Sequence, residues 1–187
     1  MKLFNWIYKG LGISYGRNLK LYGLPVLVSR SRGGIRMGND VVIRSSLLSN
    51  LLGLYQRTII VARTPQAQIV IGDNVGISGS TIYARESIII GNNTRIGANV
   101  KIMDNDFHPV DPADRLRASN QNMGVRAVNI GENVFIGCNT LILKGSTIGD
   151  NTTIGAGSVV SGTIPANCVA AGNPARVLRV LDVPQSL

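Results

Sequence analysis

Six aliphatic residues stand six positions apart without a slip: Ile130, Ile136, Ile142, Ile148, Ile154 and Val160. A strict period of six is the signature of a parallel β-helix, in which very short strands are separated by corners. Glycine often follows the aliphatic residue, at Gly131, Gly137, Gly149 and Gly155. Asn recurs three places after it, at Asn133, Asn139 and Asn151. A small or β-branched residue comes four places after it, at Val134, Thr140, Ser146, Thr152 and Ser158. Each position has a physical reading. The aliphatic points inward and stacks on its counterparts above and below. Gly and Asn tolerate the positive φ of a tight corner, and the small residue fits the corner's narrow interior.

The same frame runs upstream through Ile71, Ile77, Ile90, Ile96 and Ile102. Ile77 and Ile90 lie thirteen apart, one residue beyond two hexads, which predicts a bulge or loosened corner near Arg85 and Glu86. A weaker start is visible at Met37-Gly38 and Ile43, with nothing comparable before Gly33. Asn74, Asn93 and Asn99 read as corner residues. So does Gly155-Ala156-Gly157, which lacks the third glycine and the following helix of a dinucleotide loop.

The expected organisation is an N-terminal cap and irregular first coil over residues 1–34, followed by an all-β helix domain over 35–187 with a long inserted loop at about 103–129. Aromatic residues make up 5% of the chain and there are 22 glycines, as a solenoid with an Ile/Val interior and glycine corners requires. Met1 to about Ser14 reads as a short amphipathic helix with Leu3, Phe4, Ile7 and Leu11 on one face. It either caps the open end of the solenoid or lies on a membrane surface with Trp6 and Tyr8 at the interface. Leu47 to Leu54 is apolar and off-frame, a coil of poor consensus or a subunit contact.

No run approaches 18 apolar residues, and the N-terminus lacks the pattern of a signal peptide. The expected location is the cytoplasm, with the inner face of the membrane as the variant that the N-terminal helix allows. Cys138 and Cys168 have no metal-like spacing and read as reduced thiols. The net charge of +9 suits a polyanionic partner. Nucleic acid is disfavoured, because the basic residues are dispersed and no stacking set accompanies them.

From Ile102 to Ile130 is 28 residues where one hexad needs six, so about 22 are inserted. Loops this long in a compact domain are usually functional. The insert opens Asp104-Asn105-Asp106-Phe107-His108-Pro109, and His108 is the single histidine of the chain. Carboxylates at Asp104, Asp106 and Asp111 flank it. A neighbouring carboxylate can orient an imidazole and raise its basicity, which equips His108 as a general base.

Frame, insert position, the His108-Pro109 pair and the terminal Gly172-Asn173-Pro174-Ala175-Arg176 together resemble the hexapeptide-repeat acyltransferases, in particular the maltose, galactoside, nodulation-factor and polysaccharide O-acetyltransferases. The resemblance covers about residues 35–179. It implies a left-handed parallel β-helix with eighteen residues per three-sided coil. That spacing stacks Gly131 on Gly149, Glu132 on Asp150, Asn133 on Asn151 and Ile136 on Ile154. It also implies a homotrimer with active sites between subunits, and acetyl-coenzyme A as co-substrate rather than a tightly bound cofactor. By matching position, Cys138, Ala156, Ser161 and Gly162 are expected along coenzyme A, with Arg176 and Arg179 on its phosphates. The amide near Cys138 becomes an oxyanion donor. His108 takes the proton of the acceptor hydroxyl, with Asp106 beside it, and Ser78, Ser80, Glu86 and Asp104 occupy the acceptor region.

This chain departs from the pattern at two places. Phe135 stands where tryptophan is frequent. Gly162 replaces a common lysine, for which Lys144 is a candidate substitute.

The expected function is transfer of acetyl to a sugar hydroxyl in polysaccharide or lipopolysaccharide synthesis. The alternatives are acetylation of an antibiotic or amino sugar, and a non-catalytic solenoid scaffold. Zinc carbonic anhydrases on this fold need three histidines, which one histidine excludes.

Overall fold

The computed structural model describes residues 12–117 and 121–182. Among them three sheets wind about one axis, each strand hydrogen-bonded to its counterpart one coil away. Sheet A holds β1 (Ile13–Tyr15), β4 (Ile35–Met37), β7 (Gln68–Ile71), β10 (Ser87–Ile90), β13 (Val128–Ile130), β16 (Thr147–Ile148) and β19 (Thr163–Ile164). Sheet B holds β2 (Lys20–Tyr22), β5 (Val42–Arg44), β8 (Gly76–Ser78), β11 (Arg95–Ala98), β14 (Phe135–Ile136), β17 (Thr153–Ile154), β20 (Cys168–Gly172) and β21 (Ala175–Val180). Sheet C holds β3 (Val26–Ser29), β6 (Ile59–Ala62), β9 (Thr81–Ala84), β12 (Lys101–Met103), β15 (Leu141–Ile142) and β18 (Val159–Val160). This is the parallel β-helix expected from the hexads, with the left hand that the resemblance implies. Every pairing is parallel except β20 with β21, a hairpin that covers the last edge of sheet B.

The core is a set of isoleucine columns. Ile77, Ile96, Ile136 and Ile154 stack in sheet B, and Ile60, Ile82, Ile102, Ile142 and Val160 in sheet C, all almost wholly buried. Each such side chain contributes at most about 1.5–3 kcal/mol.

The eighteen-residue stack is present where expected. Ile136 lies on Ile154, the Glu132 amide donates to Asp150 Oδ1 at 2.7 Å, and Asn133 Nδ2 donates to Asn151 Oδ1 at 2.9 Å. It shortens at the end, where Ile148 pairs with Ile164 and Ile154 with Ala170, two residues early.

The corner asparagines carry the positive φ: 52° at Asn133, 58° at Asn139 and 56° at Asn151. The glycines after each aliphatic do not, and the reading of them as φ-driven is corrected. A Cβ on Gly137 would sit 2.4 Å from the Ala156 nitrogen, and one on Gly149 would sit 2.3 Å from that of Ala166. These glycines let adjacent coils approach. The small corner residues are buried and bond to the next coil, as when Thr140 Oγ1 donates to the Gly155 carbonyl.

One expectation changes at the N-terminal end. Most of the helix expected over Met1–Ser14 lies outside the described residues, but its last two positions are strand, because Ile13 opens β1. A full coil, β1 to β3, also precedes Gly33. Its corners are longer, so Ile13 pairs with Ile35 and Leu21 with Ile43 at a spacing of 22, which hides the hexad. Leu47–Ser49 forms a 3₁₀ turn that projects from the corner between β5 and β6.

Candidate functional site

The inserted loop leaves the solenoid after β12, at the corner joining sheet C to sheet A. It is a closed excursion: Asn105 bridges Val125 antiparallel, and Arg126 donates its amide to the Asp104 carbonyl at 2.8 Å before β13 resumes. Within it Pro112–Leu116 forms a short helix, α1, whose N-cap is Asp111. The Asp111 side chain accepts from the amides of Ala113 and Asp114, and Pro112 fills the first turn.

His108 sits on a tight turn. The buried Asn105 side chain accepts from the Phe107 amide at 3.0 Å, Phe107 takes φ 63°, and the His108 amide donates to the Asp106 carbonyl at 2.7 Å. The Phe107 ring packs on Tyr83 with centroids 4.8 Å apart. The imidazole itself is exposed.

None of the flanking carboxylates holds it, contrary to the sequence expectation. Asp104 is fully buried and accepts from the amides of Arg85, Glu86 and Ser87 and from Asn105 Nδ2. Its oxygens are filled by the corner that the thirteen-residue spacing had marked, so it staples that corner and leaves no room for an acceptor. Asp106 is bound by Lys144 at 2.6 Å to each oxygen. Asp111 caps α1. Each acid is drawn to a donor its own backbone path reaches first.

Beside this turn lies an open cleft of about 480 Å³, lined along the same corner by Asn105, Asp106 and Phe107 from the insert and by Arg126, Lys144, Ser161 and Gly162. His108 follows the lining residue Phe107 without itself lining the cleft. Glu86 is exposed at this corner one coil earlier, next to the Asp104 staple.

Ser78 and Ser80 are at the other end of β9, on the corner joining sheets B and C, and both are buried. Ser80 Oγ donates to the carbonyls of Ser78 and Gly97, which makes it a corner filler like Thr140. Burial removes both serines from contact with an acceptor on this chain's surface.

Cys138 and Ala156 occupy that same B-to-C corner, where the Gly157 amide donates to the Cys138 carbonyl at 2.8 Å. Ala171, on β20, lies against Gly155 and pairs with Arg176 on β21, while Arg179 pairs with Val169. Both arginines are exposed. The expected donor-binding residues therefore fall into two lines on two corners: Ser161 and Gly162 with the insert, and Cys138, Ala156 and Arg176 across sheet C from them. Phe135 is half-exposed on sheet B, away from the cleft.

Sequence reading missed Asn105 and Arg126 as parts of the site. The signal available was position: one opens the insert and the other returns it to the frame. The two cysteines are unpaired thiols, Cys168 in the core and Cys138 at its corner.

Residues 127–162 match the family model described as bacterial transferase hexapeptide, six repeats. The chain is 43% identical over 102 residues to the galactoside O-acetyltransferase of Escherichia coli strain K12, 54% of this chain and 48% of that protein. It spans about half the length of the galactoside O-acetyltransferases it matches. It is 30% identical over 169 residues to a protein of the same strain named "Putative lipopolysaccharide biosynthesis O-acetyl transferase WbbJ", 87% of this chain and 80% of that one.

Among solved structures, a galactoside acetyltransferase in complex with coenzyme A superposes with a TM-score of 0.55 at 25% identity, covering 97% of this chain and 70% of that one. An N-acyltransferase from Bacillus cereus, in complex with dTDP and 3-hydroxybutyryl-CoA, superposes with a TM-score of 0.73 at 20% identity, covering 95% and 88%. The second likeness shows the fold alone.

Proposed function

The chain belongs to the hexapeptide-repeat acyltransferase family, and from that premise we propose that it transfers an acetyl group from acetyl-coenzyme A to a hydroxyl of a sugar, within a polysaccharide or lipopolysaccharide precursor. The observation that carries the reading is the placement of His108: a pinned turn holds the one imidazole exposed, next in sequence to Phe107, which lines a cleft together with Ser161 and Gly162.

In the proposed reaction the acceptor hydroxyl attacks the thioester carbonyl as His108 takes its proton, since a neutral alcohol is a poor nucleophile. The tetrahedral oxyanion is held by a backbone amide near Cys138. Collapse breaks the carbon–sulfur bond, and the imidazolium returns its proton to the departing thiolate. Coenzyme A lies extended along the coils, with Arg176 and Arg179 on its phosphates. Glu86 is left as the acceptor-side candidate, since Ser78, Ser80 and Asp104 are taken up by the corners.

The two lines of donor residues support a trimeric reading. They stand on different corners of one triangular section, and a cyclic trimer sets the B-to-C corner of one copy against the C-to-A corner of the next. The reaction is placed in the cytoplasm, where acetyl-coenzyme A is available. Thiol release from acetyl-coenzyme A against a panel of neutral sugars, amino sugars and glycan fragments tests the reading. Release with hydroxyl acceptors supports it. Release with amino acceptors alone replaces it with N-acetylation, and release with none overturns it.

A further inference from the structure

Three charged side chains line the cleft beside the insert: Asp106, Lys144 and Arg126. Two of them cancel, because Lys144 Nζ stands 2.6 Å from each oxygen of Asp106. Arg126 is left over. Among the described residues its guanidinium has no ion-pair or hydrogen-bond partner. Glu86 stands one coil earlier and outside the lining, and Asp104 is buried with its oxygens taken by amides. The lining therefore carries one uncompensated positive charge.

The position of that charge is built. Arg126 closes the inserted loop, directly after the bridge of Val125 to Asn105. Its amide donates to the Asp104 carbonyl at 2.8 Å, and its carbonyl accepts from the Gly145 amide at 3.0 Å. The side chain lies against Gly145, which also lines the cleft: a Cβ there would meet Arg126 Nε at 3.0 Å and Cζ at 3.1 Å. The missing Cβ of Gly145 gives the guanidinium its place. Asn105, at the other side of the bridge, also pins the turn that carries His108. Guanidinium and imidazole thus stand at the two ends of one closed excursion.

A guanidinium is a planar fork that meets a carboxylate through two parallel charge-assisted hydrogen bonds. One such group balances one negative charge, whereas a phosphate monoester carries nearly two and draws further donors. We propose that Arg126 holds the carboxylate of an acidic sugar, so that the acceptor is a uronic acid or a residue of like chemistry within a glycan, with its reacting hydroxyl toward His108. The inference rests on the sugar acetylation proposed above, in which the cleft admits the acceptor and so stays open in the trimer.

Acetyl transfer to methyl glucuronoside and methyl galacturonoside, set against methyl glucoside, methyl galactoside and a hexose phosphate, tests it. The uronosides are expected to be the better acceptors by about tenfold or more in kcat/KM, with the advantage shrinking at high salt. Arg126→Gln should abolish that advantage by raising the Michaelis constant for the uronosides about ten- to a hundred-fold. The constant for acetyl-coenzyme A and the melting temperature should hold. Arg126→Lys keeps the charge without the fork and should recover part of the preference. Equal use of uronosides and neutral sugars by the parent, or preference for the phosphate, overturns the proposal and leaves the reaction standing. A raised donor constant in Arg126→Gln assigns the guanidinium to coenzyme A, and a smaller species in sedimentation assigns it to a contact between copies; either result overturns the proposal. If no sugar is acetylated, the reaction itself fails, and calorimetric binding of methyl glucuronoside to the parent and to Arg126→Gln decides the assignment separately. Weaker binding by the variant supports it, and equal binding or none overturns it.

Discussion

Lys144 Nζ stands 2.6 Å from both carboxylate oxygens of Asp106, and that pair ties the base of the inserted loop to the next coil. The acid two residues from His108 therefore fixes the loop rather than the imidazole. Gly124 is part of the arrangement, because a Cβ there would meet Asp106 Oδ2 at 2.5 Å.

Both partners are about one-quarter exposed, so Asp106→Asn and Lys144→Met should each lower stability by about 1–2 kcal/mol. The double variant should lose less than the sum, as coupled partners do. Turnover should fall more than donor affinity, because the pair holds the turn that carries His108. Thermal melts and steady-state kinetics on the four proteins of the cycle check this. Additive losses would show that the two side chains act independently.

The coil glycines give a contrast in stability. Gly137→Ala places a methyl 2.4 Å from the Ala156 nitrogen and 2.7 Å from its Cα, both backbone atoms that cannot move aside. Overpacking of this kind costs about 1–3 kcal/mol. Gly157 has φ 69° and nothing within 4 Å of its Cβ position, so Gly157→Asn, suited to that φ, should shift the denaturant midpoint far less. Equal shifts would refute the close-approach account.

That contrast marks how far the sequence was legible. A period of six reports which side chains point inward, so the isoleucine columns, the three sheets and the corner asparagines could be read in advance. It does not distinguish a glycine needed for its φ from one needed for its missing Cβ, because the second requirement comes from a coil eighteen residues away. The first coil was hidden because longer corners separate Ile13 from Ile35. At the site, the position of His108 and of the insert followed from the break in the frame. The partners of Asp104, Asp106 and Asp111 did not: side-chain reach is set in three dimensions, and each acid found an amide or an ammonium nearer than the imidazole. Ser78 and Ser80 fall in the acceptor region by sequence, yet the parity of the corner turns both inward.

Asp73 links the solenoid to pH. Amide and side-chain hydrogen bonds from Asn39, assisted by the charge of Arg17, hold its carboxyl below the ordinary carboxylate range. A depressed folded-state value stabilises the fold above the unfolded value and is lost as pH falls through the folded one. Asp73→Asn should therefore lower the melting temperature at neutral pH, and the gap from the parent should close below about pH 4. A gap that persisted in acid would assign the effect to shape instead of charge.

On the proposed reading, Arg176→Ala should raise the Michaelis constant for acetyl-coenzyme A about ten- to a hundred-fold, the value of charge-assisted bonds to phosphate. The constant for the acceptor should hardly change. Initial rates at varied donor and fixed acceptor measure it, and an unchanged donor constant would place the phosphates away from β21.

The central claim is that His108 takes the acceptor's proton, and the most direct measurement is acetyl transfer by His108→Ala under saturating donor and acceptor. Turnover should fall by on the order of 10²–10⁴ with coenzyme A affinity and melting temperature unchanged. A His108→Ala protein that transfers acetyl at the parent rate would contradict the mechanism.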